Sequence, residues 1–237
     1  AAPTFIVPKK DGTVRFISDF RELNKRIKRQ PHPIPKIQNL LLKLEGFKYG
    51  TALDLNMGCY HIELSESAKE LCIIAAQFCK YECQCLPMGL CNSPDIFQEK
   101  MHDLLDGLHT VRVYIDNILH LTKGTWEDHL DGLEEVFCHL QKAGLKVNAK
   151  KSNFGQHKLD YLGYHITRIG ITPIAKKVQG IINIQAPKTR KELQGFIGML
   201  NFYRDMWKDR AELLTPLTAL TSKKRTFQMD RRTPSEF

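Results

Sequence analysis

The stretch VYIDNILH, residues 113–120, decides the predicted fold because it is an apolar, extended run that Asp116 and Asn117 interrupt. Its β-branched residues favour a strand, and an Asp-Asn pair favours a turn. The sequence therefore predicts a hairpin over 111–121 whose turn holds Asp116 and Asn117. Such a turn exposes one carboxylate with a neutral amide beside it.

A second carboxylate ends another apolar strand. The run YGTALDL, residues 49–55, carries Asp54 next to its last position. If the two strands are neighbours in one sheet, Asp54 and Asp116 converge on the same edge although they are distant in the sequence. Carboxylates fixed on rigid backbone are ligands that Mg2+ prefers, and a pair of such ions can assist phosphoryl transfer. The alternative is that both aspartates are turn residues, which are common at strand ends.

The remaining patterns predict an antiparallel α+β layout. The first twenty residues read as a hairpin, Ser93 begins a helix, and Thr125 begins a second helix that ends at Gly144. Over 49–121 the order is strand, hairpin, helix, hairpin. Because hairpins join antiparallel strands, this order is typical of an α+β protein with an antiparallel sheet.

The character of the chain changes beyond about residue 161. A short hairpin, YLGYHITRIGI at 161–171, is followed by helices that we expect to begin at Pro173, at Thr189 and near Arg210. This change from a mixed layout to a helical one predicts a subdomain boundary near residue 161.

Charge and composition favour a polyanionic partner. The 237 residues include 35 Lys and Arg against 26 Asp and Glu, for a formal charge of +9 and a hydrophobic content of 42%. This content is enough to bury a core, and the excess of cations favours nucleic acid through counterion release. Ribosomal and membrane-surface proteins share such a balance. No apolar run reaches about 18 residues, so the sequence predicts no membrane span.

Cysteine usage favours a reducing compartment. The chain has 7 cysteines, an odd number, and we expect no secretory leader. We therefore expect an intracellular protein, not a secreted one. The run CKYECQC at 79–85 leaves a zinc module open as an alternative, although its spacing is not that of a zinc knuckle.

Seven blocks of the sequence resemble, in order and wording, the reverse transcriptases of long-terminal-repeat retroelements. The resemblance is to the Ty3/gypsy-like group in particular, whose enzymes are parts of a pol polyprotein, and it covers nearly the whole chain. The blocks are FISDFRELNKR, LDLNMG, LPMGLCNSPDIFQEKM, YIDN, AGLKVNAKKSNF, YLGY and PKTRKELQGFIGMLNFYRDMW.

This resemblance implies an α+β, right-hand polymerase fold. Residues 1–48 match the fingers, without their first strands, and 49–159 match the antiparallel-sheet palm with the polymerase site. Residues 160–237 match the primer-grip hairpin and the start of a helical thumb. No ribonuclease H domain is recognised in the chain, and such a fragment is normally fused to ribonuclease H and integrase in the polyprotein.

Carried over residue by residue, the resemblance implies a two-metal site. Asp54 and Asp116 match the carboxylates that hold two Mg2+ ions, for which Mn2+ is a possible substitute. Lys151, or Lys150 beside it, resembles the lysine that protonates the pyrophosphate leaving group. The implied catalytic residues are Asp54, Asp116, Asn117 and Lys151. The implied substrates are an RNA or DNA template with a primer, and deoxynucleoside triphosphates.

Two further groups match the family's substrate contacts. Arg15 and Lys10, with Lys9 as the other candidate for the lysine, resemble the fingertip cations that grip the triphosphate. The implied nucleotide-binding residues are Lys9, Lys10, Arg15, Cys59, Met88 and Gly89. The implied primer- or template-binding residues are Tyr114, Leu162, Gly163, Tyr164, Gln194, Gly198 and Phe202.

Some of these positions have a structural alternative. Gln194, Gly198 and Phe202 recur at i, i+4 and i+8, so they share one helix face, which resembles the thumb track in the minor groove of the duplex. A glycine and an aromatic residue on one face could equally serve close helix packing. Gly89 suits a close approach of backbone to nucleotide, and its alternative is a plain turn glycine.

Four positions depart from the family's pattern. Asn117 stands where the family has a second aspartate, and Cys59 stands where an aromatic residue usually excludes ribonucleotides. Cys83 and Cys85 replace the usual Tyr and Arg. Each change needs one nucleotide transition, a pattern that suits a copy drifting without selection.

The predicted function is therefore that of an RNA-directed DNA polymerase, located in a cytoplasmic virus-like particle or in the nucleus. The alternative is a catalytically impaired or decayed palm that only binds nucleic acid. Asn117 and Cys59 motivate this alternative, because a lost negative charge weakens the attraction of the site for dications.

Overall fold

The computed structural model describes residues 1–9, 12–35, 37, 40, 46–204 and 209–222. Contacts divide the chain into two compact units. The first unit is Ala1–Tyr161 with Thr167–Gly170, and the second is Leu162–Ile166 with Ile171–Phe237. Lys10, one of the expected triphosphate contacts, lies outside the described residues.

The elements follow the predicted order of hairpins and helices. The strands are β1 (Ala2–Pro8), β2 (Val14–Ser18), β3 (Tyr49–Asp54), β4 (Ile73–Ala75), β5 (Lys80–Glu82), β6 (Val111–Tyr114), β7 (Asn117–Thr122), β8 (Asn153–Gln156), β9 (Lys158–Tyr161), β10 (Tyr164–Thr167) and β11 (Gly170–Pro173). The helices are α1 (Arg21–Asn24), α2 (Glu66–Leu71), α3 (Ser93–Leu104), α4 (Trp126–Lys142), α5 (Ala175–Ile182), α6 (Arg190–Asn201) and α7 (Arg210–Leu220), with a 3-10 helix at Gly58–His61.

A four-stranded antiparallel sheet forms the centre of the first unit. Its strand order is β6-β7-β3-β8, so β3 lies between β7 and β8. The β3–β7 register runs from Tyr49 opposite Thr122 to Asp54 opposite Asn117. The predicted antiparallel α+β layout is confirmed, and the two strands that carry the aspartates are direct neighbours.

Helices α3 and α4 supply the apolar side chains that cover this sheet. Leu133, Val136 and Leu140 lie on one face of α4 at helical spacing and are all buried in one core with residues of α3 and β7. At the start of α4, the Thr125 hydroxyl accepts a hydrogen bond from the Asp128 backbone N–H, 3.1 Å away, and the Asp128 carboxylate accepts one from the Thr125 N–H, 2.7 Å away. This capping box fixes the predicted helix start.

A second sheet gathers strands from distant parts of the sequence. Its order is β2-β1-β4-β5, with β1 antiparallel to β2 and parallel to β4. The hairpin β4–β5 therefore pairs with the N-terminal hairpin and not with β3, although the predicted palm range includes it. The boundaries of fingers, palm and thumb remain a prediction.

The second unit is mainly helical. The three predicted helices are present as α5, α6 and α7, but α5 begins at Ala175 and not at Pro173, which ends β11. The Thr189 hydroxyl caps α6 by accepting a hydrogen bond from the Glu192 N–H, 3.2 Å away. On α6, Leu193 and Leu200 are buried seven positions apart, which is the spacing of an amphipathic helix with one core-facing stripe.

Candidate active site

The register of the central sheet brings Asp54 and Asp116 to the same edge. Asp54 ends β3 opposite Asn117, the first residue of β7, and Asp116 immediately precedes Asn117. The backbone N–H of Leu55 donates a hydrogen bond to the Asp116 carbonyl, 2.9 Å away, which ties the end of β3 to the turn before β7. Two carboxylates that are distant in the sequence are thus fixed side by side on sheet backbone.

The turn of this hairpin differs by one residue from the predicted one. Tyr114 pairs with Asn117, so the two turn residues are Ile115 and Asp116, and Asn117 belongs to the strand. Ile115 has a φ of 54°, in the left-handed region. A tight two-residue turn between twisted strands needs a positive φ at its first central position, and this requirement decides which residues turn.

The electrostatics of the site show that the two acids interact. Burial raises the pKa of Asp116, and the negative charge of Asp54 raises it further. The Lys151 ammonium lies 3.5 Å from a carboxylate oxygen of Asp54 and counteracts part of this rise. Burial disfavours the anionic form of Asp116, and a cation bound at the two carboxylates would favour it.

Asn117 donates a hydrogen bond to Asp116. Its Nδ2 lies 2.8 Å from Oδ1 of Asp116, so the amide engages one of the two oxygens of that carboxylate. The backbone carbonyl of Asn117 accepts a hydrogen bond from the Tyr161 hydroxyl at 3.1 Å. An aspartate at this position could not donate such a bond, because an ionised carboxylate only accepts.

A short loop supports Asp54 from the other side and includes Lys151. The Asp54 N–H donates to Ser152 Oγ at 3.1 Å, and Ser152 Oγ donates to the Asn148 carbonyl at 2.8 Å. The Asn148 N–H in turn donates to the Asp54 carbonyl at 2.8 Å. These three bonds fix both the end of β3 and the loop from which Lys151 reaches the carboxylate.

Cys59 and Gly89 lie on the segments expected to contact the nucleotide. Burial raises the pKa of the Cys59 thiol, and the charge of Asp116 adds to the rise, so the sulfur lies near the candidate metal site. Gly89 has a φ of 102°, and a Cβ there would lie 3.2 Å from the Ser18 carbonyl. Gly89 is therefore required for backbone conformation and close approach, and Met88 beside it is exposed.

The fingertip candidates lie on the hairpin β1–β2. The Lys9 N–H donates to the Thr13 carbonyl at 2.7 Å, which places Lys9 at the start of the turn. Arg15 is exposed and pairs with Val7 across the two strands. Both cations are thus close to the tip of one hairpin.

In the second unit, the expected primer-contacting residues fall into two groups. Leu162 and Gly163 both have positive φ, 50° and 88°, as expected for the turn before β10. Tyr164 is buried and its ring stacks on Phe202 with the centroids 5.7 Å apart. Tyr164 therefore positions the turn by packing inside the unit.

The face of α6 with Gln194 and Gly198 is exposed. A Cβ added at Gly198 meets no atom within 4 Å among the described residues. Close packing at this glycine, the structural alternative, thus finds no support in the part of the chain that the structure describes. Phe202 is 42% exposed, so it combines the stacking on Tyr164 with an accessible edge.

Comparison with known proteins decides the family. The profile of the family described as "Reverse transcriptase (RNA-dependent DNA polymerase)" matches residues 7–166. The chain belongs to the reverse transcriptase family. Among its relatives, this reverse transcriptase is 37% identical over 227 residues to the "Retrovirus-related Pol polyprotein from transposon opus" of Drosophila melanogaster, which covers 93% of this chain and 22% of the relative.

Further relatives support the same assignment. The "Transposon Tf2-7 polyprotein" of Schizosaccharomyces pombe is 32% identical to this reverse transcriptase over 225 residues, covering 94% of it and 17% of the relative. The chain thus spans about a fifth of the length of these polyproteins. The predicted identity as a retroelement reverse transcriptase fragment of the Ty3/gypsy-like group is confirmed.

Solved structures give the same answer for the fold. A foamy viral protease-reverse transcriptase in complex with double-stranded DNA is 32% identical, with a TM-score of 0.85 over 92% of this chain and 38% of that one. The same viral protein in complex with an RNA/DNA hybrid gives a TM-score of 0.77 at 31% identity, over 95% of this chain and 30% of that one. The predicted polymerase fold is confirmed.

The described residues contain neither a cluster of metal-ligating side chains nor a helix able to span a membrane. No group of three or more His, Cys, Asp or Glu side chains there is arranged to hold a metal ion, so the cysteine-rich run gathers no zinc site in that part of the chain. Within the same ranges, none of the helices has the length and apolar character needed to cross a bilayer.

Proposed function

We propose that this chain is the polymerase part of an RNA-directed DNA polymerase, which adds deoxynucleotides to the 3′-hydroxyl of a primer on an RNA or DNA template. The observation that carries the proposal is the β3–β7 register, which sets Asp54 opposite Asn117 and so puts Asp116 beside it. Two neighbouring carboxylates, one at the end of a strand and one on the tight turn beside it, match the ligand requirement of nucleotidyl transfer by two metal ions.

The donor set fits Mg2+, with Mn2+ as a possible substitute. Asp54 and Asp116 offer carboxylate oxygens, which hard dications prefer. Burial and the charge of Asp54 raise the pKa of Asp116, and a bound dication would favour its anionic form. Bound there, the ions would neutralise phosphate charge and lower the pKa of the primer hydroxyl. The two aspartates would hold them, and the Lys151 ammonium, 3.5 Å from a carboxylate oxygen of Asp54, would give a proton to the pyrophosphate.

Cations of the fingers bind the other end of the triphosphate. Lys9 and Arg15 flank the tip of a hairpin, and Lys10 follows Lys9 in the sequence. A forked guanidinium and a flexible ammonium can both neutralise charge that develops on the leaving phosphates. Met88 and Gly89 lie under the incoming nucleotide, where a residue without a side chain permits close approach.

Contacts with the primer and template use both units. Tyr114 precedes the catalytic turn, and Leu162 and Gly163 form the turn that holds the primer end. Tyr164 supports that turn by packing. The exposed face of α6, with Gln194, Gly198 and Phe202, follows the minor groove of the duplex. This part of the proposal is supported by solved complexes of a related viral enzyme with DNA and with an RNA/DNA hybrid.

The setting of the chain follows from its relatives. They are transposon polyproteins several times longer than this chain, so we infer fusion to ribonuclease H and integrase. We also infer that the polymerase works inside the cell, in a virus-like particle or in the nucleus.

Primer extension tests the proposal. Purified protein should extend a labelled primer on RNA and DNA templates in Mg2+ or Mn2+, and Asp116→Ala should abolish extension while a gel-shift assay shows unchanged binding of template and primer. If the wild-type chain and Asn117→Asp bind nucleic acid but neither extends a primer, the chain is a binding module and the proposal is wrong.

A further inference from the structure

The buried side-chain amide of Gln98, on α3, forms hydrogen bonds with backbone groups of strand β6 and of the catalytic turn that follows it. Gln98 is 2% exposed, and its Oε1 accepts a hydrogen bond from the Ile115 N–H, 2.7 Å away. Its Nε2 donates to the Val113 carbonyl at 3.4 Å. Among the described residues β6 is the edge strand of its sheet, so no neighbouring strand there bonds its outward backbone groups. The side-chain amide of Gln98 forms hydrogen bonds like those that a neighbouring strand would form.

The turn needs this support because Ile115 is in an unfavourable conformation. Its φ of 54° lies in the left-handed region, where glycine is preferred and a β-branched side chain is strained. Only the first of the two turn residues, Ile115, has a positive φ, which is the sign pattern of a type II′ turn. The hairpin bonds of the Tyr114–Asn117 pair leave the Ile115 N–H without a strand partner. Gln98 supplies the partner that keeps this conformation.

The same turn carries the carboxylate on which the proposed reaction depends. Asp116 directly follows Ile115, and its carbonyl accepts a hydrogen bond from the Leu55 N–H, one residue beyond Asp54. A change in the φ of Ile115 would rotate the peptide that leads into Asp116. The N–H that Gln98 accepts from therefore belongs to the residue directly before the proposed metal ligand.

We propose that Gln98 is a positioning residue, which fixes the catalytic turn through the Ile115 N–H and thereby holds Asp116 against Asp54. The Gln98 side chain is buried and bonds to backbone groups of Val113 and Ile115, so we assign it a positioning role and not a catalytic one. Its effect on catalysis rests on the polymerase function proposed above, whereas its effect on the turn does not. If Gln98 only filled space in the core, an apolar side chain of the same length would serve equally well.

The test is the variant Gln98→Met, which keeps the length and helix propensity of the side chain but removes both hydrogen bonds. Its readout is amide hydrogen exchange by NMR. We expect the Ile115 N–H to exchange about tenfold to a hundredfold faster, because a buried donor has lost its acceptor. Unchanged exchange at Ile115 would overturn the proposal.

Thr122→Val is the matched control. It removes a buried hydrogen bond of 2.8 Å between Thr122 and His129 at the far end of β7, and so reduces stability without touching the turn. Exchange at Ile115 should stay at the wild-type rate in this variant after correction for global stability. An equal acceleration in Thr122→Val would show that Gln98 acts only through global stability and would also overturn the proposal.

Steady-state primer extension adds the catalytic readout. We expect Gln98→Met to lower kcat by about tenfold to a hundredfold, since displacement of a catalytic group by about 1 Å can have that effect, with KM for the nucleotide within about twofold. If Gln98→Met has the same kcat as the wild type, Gln98 does not have a positioning role. If the wild-type chain does not extend primers at all, the polymerase proposal fails, and the exchange result alone decides whether Gln98 holds the turn.

Discussion

Replacing Asn117 by aspartate should change metal affinity and stability in opposite directions. In the metal-free protein the amide of Asn117 donates to Asp116 over 2.8 Å. Asn117→Asp removes that bond and adds a third carboxylate beside Asp54 and Asp116, where burial and repulsion already raise the pKa of Asp116. We therefore expect the variant to be less stable than the wild type in EDTA.

With metal present, the added charge becomes favourable. A unit charge about 5 Å from a dication gains about 1.7 kcal/mol in bulk water and about four times as much at the effective dielectric constant of a protein surface. Part of this gain is offset by the repulsion and the lost hydrogen bond in the metal-free state. We therefore expect Mn2+ to bind to Asn117→Asp at least about tenfold more tightly, since about 1.4 kcal/mol corresponds to that factor.

Two measurements check this prediction. Isothermal titration with Mn2+ gives the affinity, and thermal unfolding in EDTA and in Mg2+ gives the two stabilities. Gln156→Glu is the matched control, because it adds the same charge to the same sheet opposite Gly50, at the other end of β3 from Asp54. Equal Mn2+ affinities in wild type and Asn117→Asp, or a more stable variant in EDTA, would show that the charge at position 117 does not control metal binding.

Three further predictions concern stability, pH and selectivity. Gly58→Ala should cost about 1–3 kcal/mol of unfolding free energy in urea, because the new Cβ meets the buried ring of Phe97. Burial, and then the charge of His120, lowers the pKa of His129 from 6.5 to about 4, so stability should fall by about 3 kcal/mol as the pH falls from 6.5 to 4. Cys59→Tyr should raise discrimination against ribonucleotides in primer extension by about tenfold or more.

Each of these predictions has its control. Gly195→Ala, on a helix where an added Cβ meets no described atom within 4 Å, should stabilise the protein slightly and not destabilise it. His129→Gln should flatten the loss of stability below pH 6.5. Stability falls with falling pH because between pH 6.5 and 4 the unfolded chain binds a proton at position 129, whereas buried His129 in the folded protein stays neutral. Equal ribonucleotide use by Cys59→Tyr and wild type would contradict the proposed role of Cys59.

The sequence predicts the framework of the site well because that framework depends on local patterns. Apolar runs that end on Asp54 and Asp116 identify two strands, and the Thr125 capping box identifies the start of α4. Whether the two strand ends form one site depends on the two strands pairing with each other. The sequence of each strand alone does not specify its partner. The family resemblance supplied this pairing, and the register of β3 and β7 confirms it.

The supporting residues could not be predicted in the same way. Gln98 and Ser152 act through hydrogen bonds to backbone groups that are remote in the sequence, so no local pattern identifies them. The shift of the turn to Ile115 and Asp116 has a related cause. Asp-Asn is the stronger local turn signal, but the pairing of Tyr114 with Asn117 overrides it.

Anomalous diffraction from Mn2+, in crystals of the chain with template, primer and nucleotide, would show whether Asp54 and Asp116 share the metal site. We expect a manganese peak within direct coordination distance, about 2.0–2.2 Å, of carboxylate oxygens from both Asp54 and Asp116. A manganese ion bound by only one of these residues, or bound elsewhere while the nucleotide occupies the palm, would contradict this expectation.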